Sequence, residues 1–396
     1  MYIFKKKKKI YLTKIFDLIG GAIFFSFSLK RLKLPENVRK ILIIRLDGIG
    51  DVILSTPVYE ALKKKYPSAK LTVLVGSHTK GVVEMNPYVD NVFVLRNTWF
   101  TTIRNIKFSE ILSMLRKIRK ENFDIGIDLR GDMRNILLMF FGKVRYRIGY
   151  GITGGGFLLN KMPHYEQKTH EVDKNLKLIE GLDCTVINKK MHIYSSQADE
   201  EKILNLLEAG HVRKNGILLA VHMETGYPSK SWRKEKFVQL LQEMSKRDYG
   251  KIVLIGKGSD DIDFSYIYDR LKFNYLNTIG KLSIGELAVL LKRCAALISC
   301  DSGPVHVATA VETPSIILFS GTNDLTQWGH LNNLNRVIHK DVECSPCERR
   351  VCSRDIHSSG IYSVYLFLCF FTNTWYLRLL KYSRFFSLLS IRDIPS

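Results

Sequence analysis

Acid is scarce in this chain. Its 396 residues carry 38 Asp and Glu against 60 Lys and Arg, a formal net charge of +22. Nucleic acid is the first partner such an imbalance raises, but the distribution argues against it. Residues 1–40 hold a net +9 and residues 349–396 a net +5, which leaves only about +8 over the long middle. No internal sequence repeat is evident. The uncharged part of the N-terminal stretch, Leu18–Leu29, is twelve residues long, short of the roughly 20 that cross a bilayer. No small-x-small cleavage site follows it, so a signal peptide fits poorly. Seven cysteines without such a leader point to a reducing compartment and free thiols. The length suits two or three domains, and the apolar and charged fractions, 46% and 25%, are those of a globular protein.

The basic start has a pattern of its own. Lys5–Lys9 lead into a stretch containing Phe16, Phe24, Phe25 and Phe27, and Lys30, Arg31 and Lys33 close it. Two readings of residues 1–37 stand open. One is a helix lying in the interface of an anionic membrane. The other is a solvated charge run followed by a helix docked on the protein itself.

From residue 38 the chain alternates short β-branched runs with helical periods, the pattern of a parallel α/β sheet. The first series, 38–195, predicts strands at Ile41–Leu46, Leu71–Val75, Val92–Leu95 and Ile125–Leu129, with helices at Val58–Lys65 and Ile106–Glu121. The second, 196–345, predicts strands at Ile217–His222, Ile252–Ile255, Leu297–Cys300 and Ser315–Phe319. Helices at 234–247, 261–272 and 283–293 separate these, and Ser283 with Glu286 forms a capping box for the third. Residues 165–210 read as helix, strand and helix bridging the halves. Two Rossmann-like domains follow, with a ligand expected in the cleft between them. Residues 346–396 form a cysteine-containing, basic and aromatic tail.

Three stretches carry chemistry. In "RLDGIGDVILSTP", residues 45–57, an apolar strand ends in acids and glycines. Gly48 and Gly50 allow a tight turn and close ligand approach. Asp51 stands where the next helix begins, at the carboxyl end of the sheet. On local pattern alone it is either a ligand-facing carboxylate or a helix cap. In "CDSGPVHVATAVETPSIILFSGT", a strand ends in Asp301, Ser302 and Gly303. Backbone N–H groups of the following helix and the Ser302 hydroxyl make an anion site, with His306 in its first turn. In "HMETGYPSKSW", Lys230 follows a strand end and would neutralise a phosphate if aimed at the cleft.

Together these stretches resemble glycosyltransferase family 9, the ADP-heptose:lipopolysaccharide heptosyltransferases, from about Lys40 to Cys352. The resemblance implies a GT-B fold and metal-independent heptose transfer with inversion. By position, Asp51 matches the family's general base, Lys230 its donor-phosphate lysine, and Asp301, Ser302, Gly303 and His306 its donor-binding turn. Asp260 would contact the donor ribose. No cofactor is required; the partners implied are a nucleotide-sugar donor and a lipid-linked saccharide acceptor at the cytoplasmic face of the membrane, and no nucleic acid. The chain departs from the family at both ends. Cys344, Cys347 and Cys352 either hold a structural zinc, with His357 or Cys369 as fourth ligand, or are free loop thiols. Two other functions stay in view. One is an epimerase-like nucleotide-sugar enzyme of the same fold; the other is an inactive membrane-binding member with an altered C-terminus.

Overall fold

The computed structural model describes residues 2, 7–25, 33–100, 107–186, 188–213, 216–258, 262–329, 334–339 and 342–352. The chain forms two compact units, Met1–Tyr194 and Ser195–Ser396.

In the first unit the elements run α1 (Lys7–Phe25), β1 (Lys40–Ile44), α2 (Ile49–Ile53), α3 (Thr56–Lys65), β2 (Lys70–Gly76), α4 (Lys80–Val83), β3 (Asn91–Leu95), α5 (Phe108–Glu121), β4 (Ile125–Asp128), α6 (Met133–Phe141), β5 (Tyr146–Ile148) and α7 (Glu171–Glu180). The strands form one parallel sheet in the order β3-β2-β1-β4-β5. Strand β1, KILII, is buried along nearly its whole length. Strands covered on both faces read as continuous apolar runs for that reason. Ile44, Leu46, Phe93, Ile118, Phe123 and Met139 form part of the core on one side of this sheet.

The second unit comprises α8 (Gln197–Ala209), β6 (Leu218–His222), α9 (Lys234–Lys246), β7 (Lys251–Ile255), α10 (Phe264–Tyr268), β8 (Leu276–Asn277), α11 (Ile284–Arg293), β9 (Ala296–Cys300), α12 (Gly303–Ala310), β10 (Ser315–Phe319), α13 (Leu325–Trp328) and β11 (Asn335–His339). Its sheet is again parallel, ordered β11-β10-β9-β6-β7-β8. Trp232 packs edge-on against Phe237 at 4.9 Å, in a core with Val221, Leu240 and Ile298.

The expected strands and the main helices are present, with ends shifted by a residue or two. The expected capping box opens α11: the Glu286 amide donates to Ser283 Oγ at 3.1 Å, and the Ser283 amide donates to the Glu286 carboxylate at 2.9 Å. Two expectations need correction. The helix placed at 261–272 is only the short α10, started by the Asp263 carboxylate, which accepts from the Tyr266 amide at 3.0 Å. Between α7 and α8 no strand exists among the described residues. Backbone there is satisfied by side chains instead, the His192 amide donating to Thr56 Oγ1 at 2.9 Å.

In a parallel sheet the polar turns after the strands gather at one edge, and the crevice opens where strand order reverses direction. In the first unit that point lies between β1 and β4. In the second it lies between β6 and β9.

Candidate active site

At the first switch point β1 runs into Arg45, Leu46 and Asp47. Arg45 is fully buried, and its guanidinium is the hub of the turn. Nη2 lies 3.1 Å from Asp51 Oδ1 and 3.1 Å from Glu171 Oε1. Nη1 donates to the Leu129 carbonyl at 2.9 Å and to Asn175 Oδ1 at 3.1 Å, while Nε is 2.8 Å from Asp47 Oδ1. Across the switch point Arg130, from the turn after β4, reaches Asp47 Oδ2 at 2.5 Å and stacks over the Phe100 ring at 3.9 Å. That turn is itself wound around Asp128, which accepts from the amides of Arg130 and Asp132 and from Asn135 Nδ2.

Charges placed this closely divide their protons unequally. Burial works against the Asp47 carboxylate, but Arg45 and Arg130 outweigh it and hold Asp47 below the ordinary range. Asp51 goes the other way. Burial and then the Asp47 charge push it up to about 6, against the pull of Arg45 and Arg130. Burial pushes Asp128 up to about 7. Asp51 thus keeps a carboxylate near neutrality while 20% of its side chain remains exposed.

Of the two local readings of Asp51, the structure shows the cap, together with an ion pair. It is the third residue of α2, and its Oδ2 accepts from the Gly48 amide at 3.0 Å. Its Oδ1 belongs to the Arg45 hub. The glycine turn differs from the expectation. Gly48 sits at φ −76° and ψ 168°, open to any residue, and Gly50 lies inside α2. What Gly48 provides is room, since a Cβ there would stand 3.0 Å from Asp51 Oδ2.

At the second switch point Lys230 ends a short 3-10 turn, Pro228–Lys230, after β6. Its Nζ is 2.9 Å from Asp301 Oδ2, in the turn after β9, and Asn323 Nδ2 donates to the same oxygen at 2.7 Å. Ser302 occupies the N-cap of α12 but makes no side-chain cap. Its Oγ turns back instead, 3.1 Å from His222 Nδ1 and 3.2 Å from Ser299 Oγ, and donates to the Cys300 carbonyl at 3.0 Å. The expected anion site therefore retains the start of α12 without the hydroxyl. Gly303 is the first residue of that helix, and His306 lies buried within it. Burial lowers His222 to about 4, although Glu224 pulls upward, so the ring is neutral at physiological pH. Glu224 accepts from the Lys257 amide at 2.5 Å. A Cβ at Gly256 would overlap its carboxylate, so the chain passes closer there than any other residue permits.

The cysteine segment has a structural role at this edge. Ser229 donates its amide to the Arg350 carbonyl at 3.1 Å and its hydroxyl to the Arg349 carbonyl at 2.6 Å. The Glu348 amide donates to the Thr322 carbonyl at 2.8 Å. Residues 347–350 thus brace the turn that carries Lys230. Among the described residues no three His, Cys, Asp or Glu side chains are grouped to hold a metal ion, Cys344, Cys347 and Cys352 included. His357, Cys369 and Asp260 lie outside the described residues.

Sequence reasoning passed over Arg45, Asp47, Arg130, Glu171, His222 and Glu224. Arg45 and Asp47 stood inside the quoted stretch, and an arginine directly after a buried strand was the available signal. Nothing local marks Glu171, which is 126 residues from its partner Arg45.

The family profile described as Glycosyltransferase family 9 (heptosyltransferase) matches residues 111–357, more than half of the chain. Lipopolysaccharide heptosyltransferase 3 of Escherichia coli K12 is 27% identical over 280 residues, 69% of this chain and 80% of the relative. Lipopolysaccharide heptosyltransferase 1 of Campylobacter coli is 26% identical over 319 residues, 76% and 89% of the two chains. In three dimensions the chain is similar to a family 9 glycosyl transferase from Veillonella parvula. The TM-score is 0.76 at 21% identity, covering 88% of this chain and 99% of that one. The E. coli ADP-heptose lps heptosyltransferase II gives 0.63 at 18%, covering 78% and 95%. These likenesses make the two Rossmann-like units a GT-B pair, and the profile match decides the family. The chain is a glycosyltransferase and belongs to glycosyltransferase family 9, the heptosyltransferases.

Proposed function

We propose that this enzyme moves a heptose, or a related sugar, from an ADP-sugar to a lipopolysaccharide-core or other lipid-linked saccharide, with inversion at the anomeric carbon. In that step the bond from the anomeric carbon to the ADP oxygen breaks and its electron pair leaves with ADP. The acceptor oxygen bonds the opposite face, and its proton passes to Asp51. The observation that carries the reading is the setting of Asp51. It is a partly exposed carboxylate at the carboxyl end of β1, raised to about 6. A general base works best when its pKa approaches the operating pH.

Charge on the departing diphosphate is met by Lys230, oriented by Asp301, and by the start of α12, which the Ser302 hydroxyl does not cap. These groups supply the positive charge that a divalent cation would otherwise bring, so the transfer proceeds without one. Similarity to an ADP-heptose enzyme of E. coli supports the donor, and the lipopolysaccharide heptosyltransferases support the acceptor class. An acceptor of that kind places the enzyme at the cytoplasmic face of a membrane. No described helix is long and apolar enough to cross one.

The test is to incubate the purified chain with ADP-heptose and a heptose-deficient lipid-linked core saccharide, with and without EDTA. Release of ADP coupled to a glycosylated product of inverted anomeric configuration, equal in both arms, is expected. A product of retained configuration, or no transfer from any ADP-sugar, overturns the reading.

A further inference from the structure

Helix α1 wears its polarity inside out. Its inner stripe is the one with polar groups. Asp17 Oδ1 accepts from the Gly155 amide at 2.7 Å, and Oδ2 accepts from the Tyr2 hydroxyl at 2.6 Å. One turn back, Thr13 approaches Gly154, where a Cβ would stand 2.7 Å from Thr13 Cγ2. One turn on, Gly20 lies so close to the Phe157 ring that a Cβ there would overlap it, and Phe16 packs tilted against the same ring at 5.7 Å. Positions 13, 16, 17 and 20 follow the helical repeat, so this is one docked face. It is fastened to the turn Gly151–Leu158 of its own unit.

The opposite face is apolar and open. Tyr11, Leu12, Ile15, Leu18, Ile19 and Ile23 are all exposed, Leu18 to 74% and Tyr11 to 68%. Between residues 11 and 23 the only charges are Lys14 and Asp17, and Asp17 is docked. Exposed Lys7, Lys8 and Lys9 lie at one end of this face. A surface helix of a protein in water has the reverse arrangement, with its apolar stripe facing the core. A contiguous apolar patch of this kind marks an interaction surface.

A second basic surface adjoins the same turn. Arg147 Nε donates to the Leu158 carbonyl at 2.7 Å. With Arg119, Lys143 and Arg145 it lines a concavity of about 450 Å³ floored by Phe140 and Phe141, and no acid lines it. Asp124 neutralises part of Arg145 from behind, at 3.3 Å.

We propose that α1 is an in-plane membrane helix whose outward apolar face enters an anionic bilayer while its docked stripe holds the first unit, Met1–Tyr194, against it. The partner is a lipid surface because an exposed apolar face with a run of exposed lysines at its end suits acyl chains beneath anionic headgroups. This deepens the lipid-linked acceptor reading by fixing which unit meets the membrane, and it rests on that reading only for its purpose. Vesicle binding is measured without sugar transfer, so either idea can fail alone.

The full-length protein is sedimented with phosphatidylglycerol-containing vesicles and with pure phosphatidylcholine vesicles, beside an Ile15→Glu/Leu18→Glu variant and an Asp17→Asn variant. Binding to the anionic vesicles is expected, weakened by salt. The double variant is expected to lose at least about tenfold in partitioning, since both side chains belong to the inserted face. Its melting temperature and ADP binding should be unchanged, because neither residue is on the docked stripe. The Asp17→Asn variant should still bind vesicles while α1 becomes more susceptible to protease. Equal partitioning of the double variant and the parent overturns the proposal. So does failure of the parent to bind anionic vesicles, and so does an apolar face consumed by self-association, seen as a dimer that the double variant dissolves.

Discussion

Lys230 Nζ lies 2.9 Å from Asp301 Oδ2 and so joins the turns that follow two neighbouring strands, β6 and β9. The first unit repeats the arrangement with Arg130 and Asp47, which join the turns after β1 and β4. In each case a cation is steadied at a switch point by a carboxylate from the adjacent turn.

Replacing Lys230 should therefore hurt ligand binding more than folding. Its side chain is partly exposed, and Asp301 keeps Asn323 as a partner. Lys230→Ala is expected to weaken ADP binding by roughly 1–3 kcal/mol, the worth of a charged hydrogen bond. Calorimetric titration with ADP measures it, and unchanged affinity would remove Lys230 from the phosphate site.

The Asp51→Asn variant should retain ADP binding and lose turnover by at least about a hundredfold, the scale for removing a general base. The parent's turnover should decline as pH falls through about 6, where Asp51 becomes protonated. For stability the sign is opposite. A folded pKa raised from 3.8 to about 6 means that the native state binds more protons, so this group's contribution is lost as pH rises through that window. Asp51→Asn should flatten that part of the unfolding-versus-pH curve; a variant with wild-type turnover leaves Asp51 as a helix cap alone.

Arg45→Met should be among the most damaging changes in the first unit. It would leave Asp47, Asp51 and Glu171 together without their shared cation. Breaking a buried network from one side costs about 3–5 kcal/mol. Denaturant unfolding gives the number, and a loss under about 1 kcal/mol would show that Arg130 and Lys174 suffice to balance these acids.

A smaller effect is expected at Ser229, whose hydroxyl ties the Lys230 turn to the Arg349 carbonyl. Ser229→Ala should cost about 1 kcal/mol of stability, the net worth of an ordinary hydrogen bond. ADP affinity should fall with it if residues 347–350 brace the lysine. A stability loss with intact ADP affinity would separate the brace from the site.

His222 sets an acid limit on the second unit. Burial holds its folded pKa near 4, below the ordinary 6.5, so protonation favours the unfolded chain. Stability should decline as pH falls from 6.5 toward 4, and His222→Leu should remove that slope. Melting temperature measured across this range decides it; parallel curves for parent and variant would place the acid sensitivity elsewhere.

Much of the architecture was written in local pattern. Runs such as Leu218–His222 and Ser315–Phe319 are apolar without alternation because both faces of a parallel strand are covered, so they could be read directly. The Ser283–Glu286 box is local for the same reason that all caps are, since its partners are three residues apart. The placement of Asp51, Lys230 and Asp301 was legible because strand-to-helix turns of an α/β sheet fall at its carboxyl edge. What Asp51 does electrostatically was not legible, because its pKa depends on burial and on Arg45, Asp47 and Arg130, brought together by strand order. Composition marked α1 as an apolar, basic helix and left its orientation open. Only the docking of Asp17 on Gly155 decided which face turns inward, because a helix shows its sides only when a second surface chooses one.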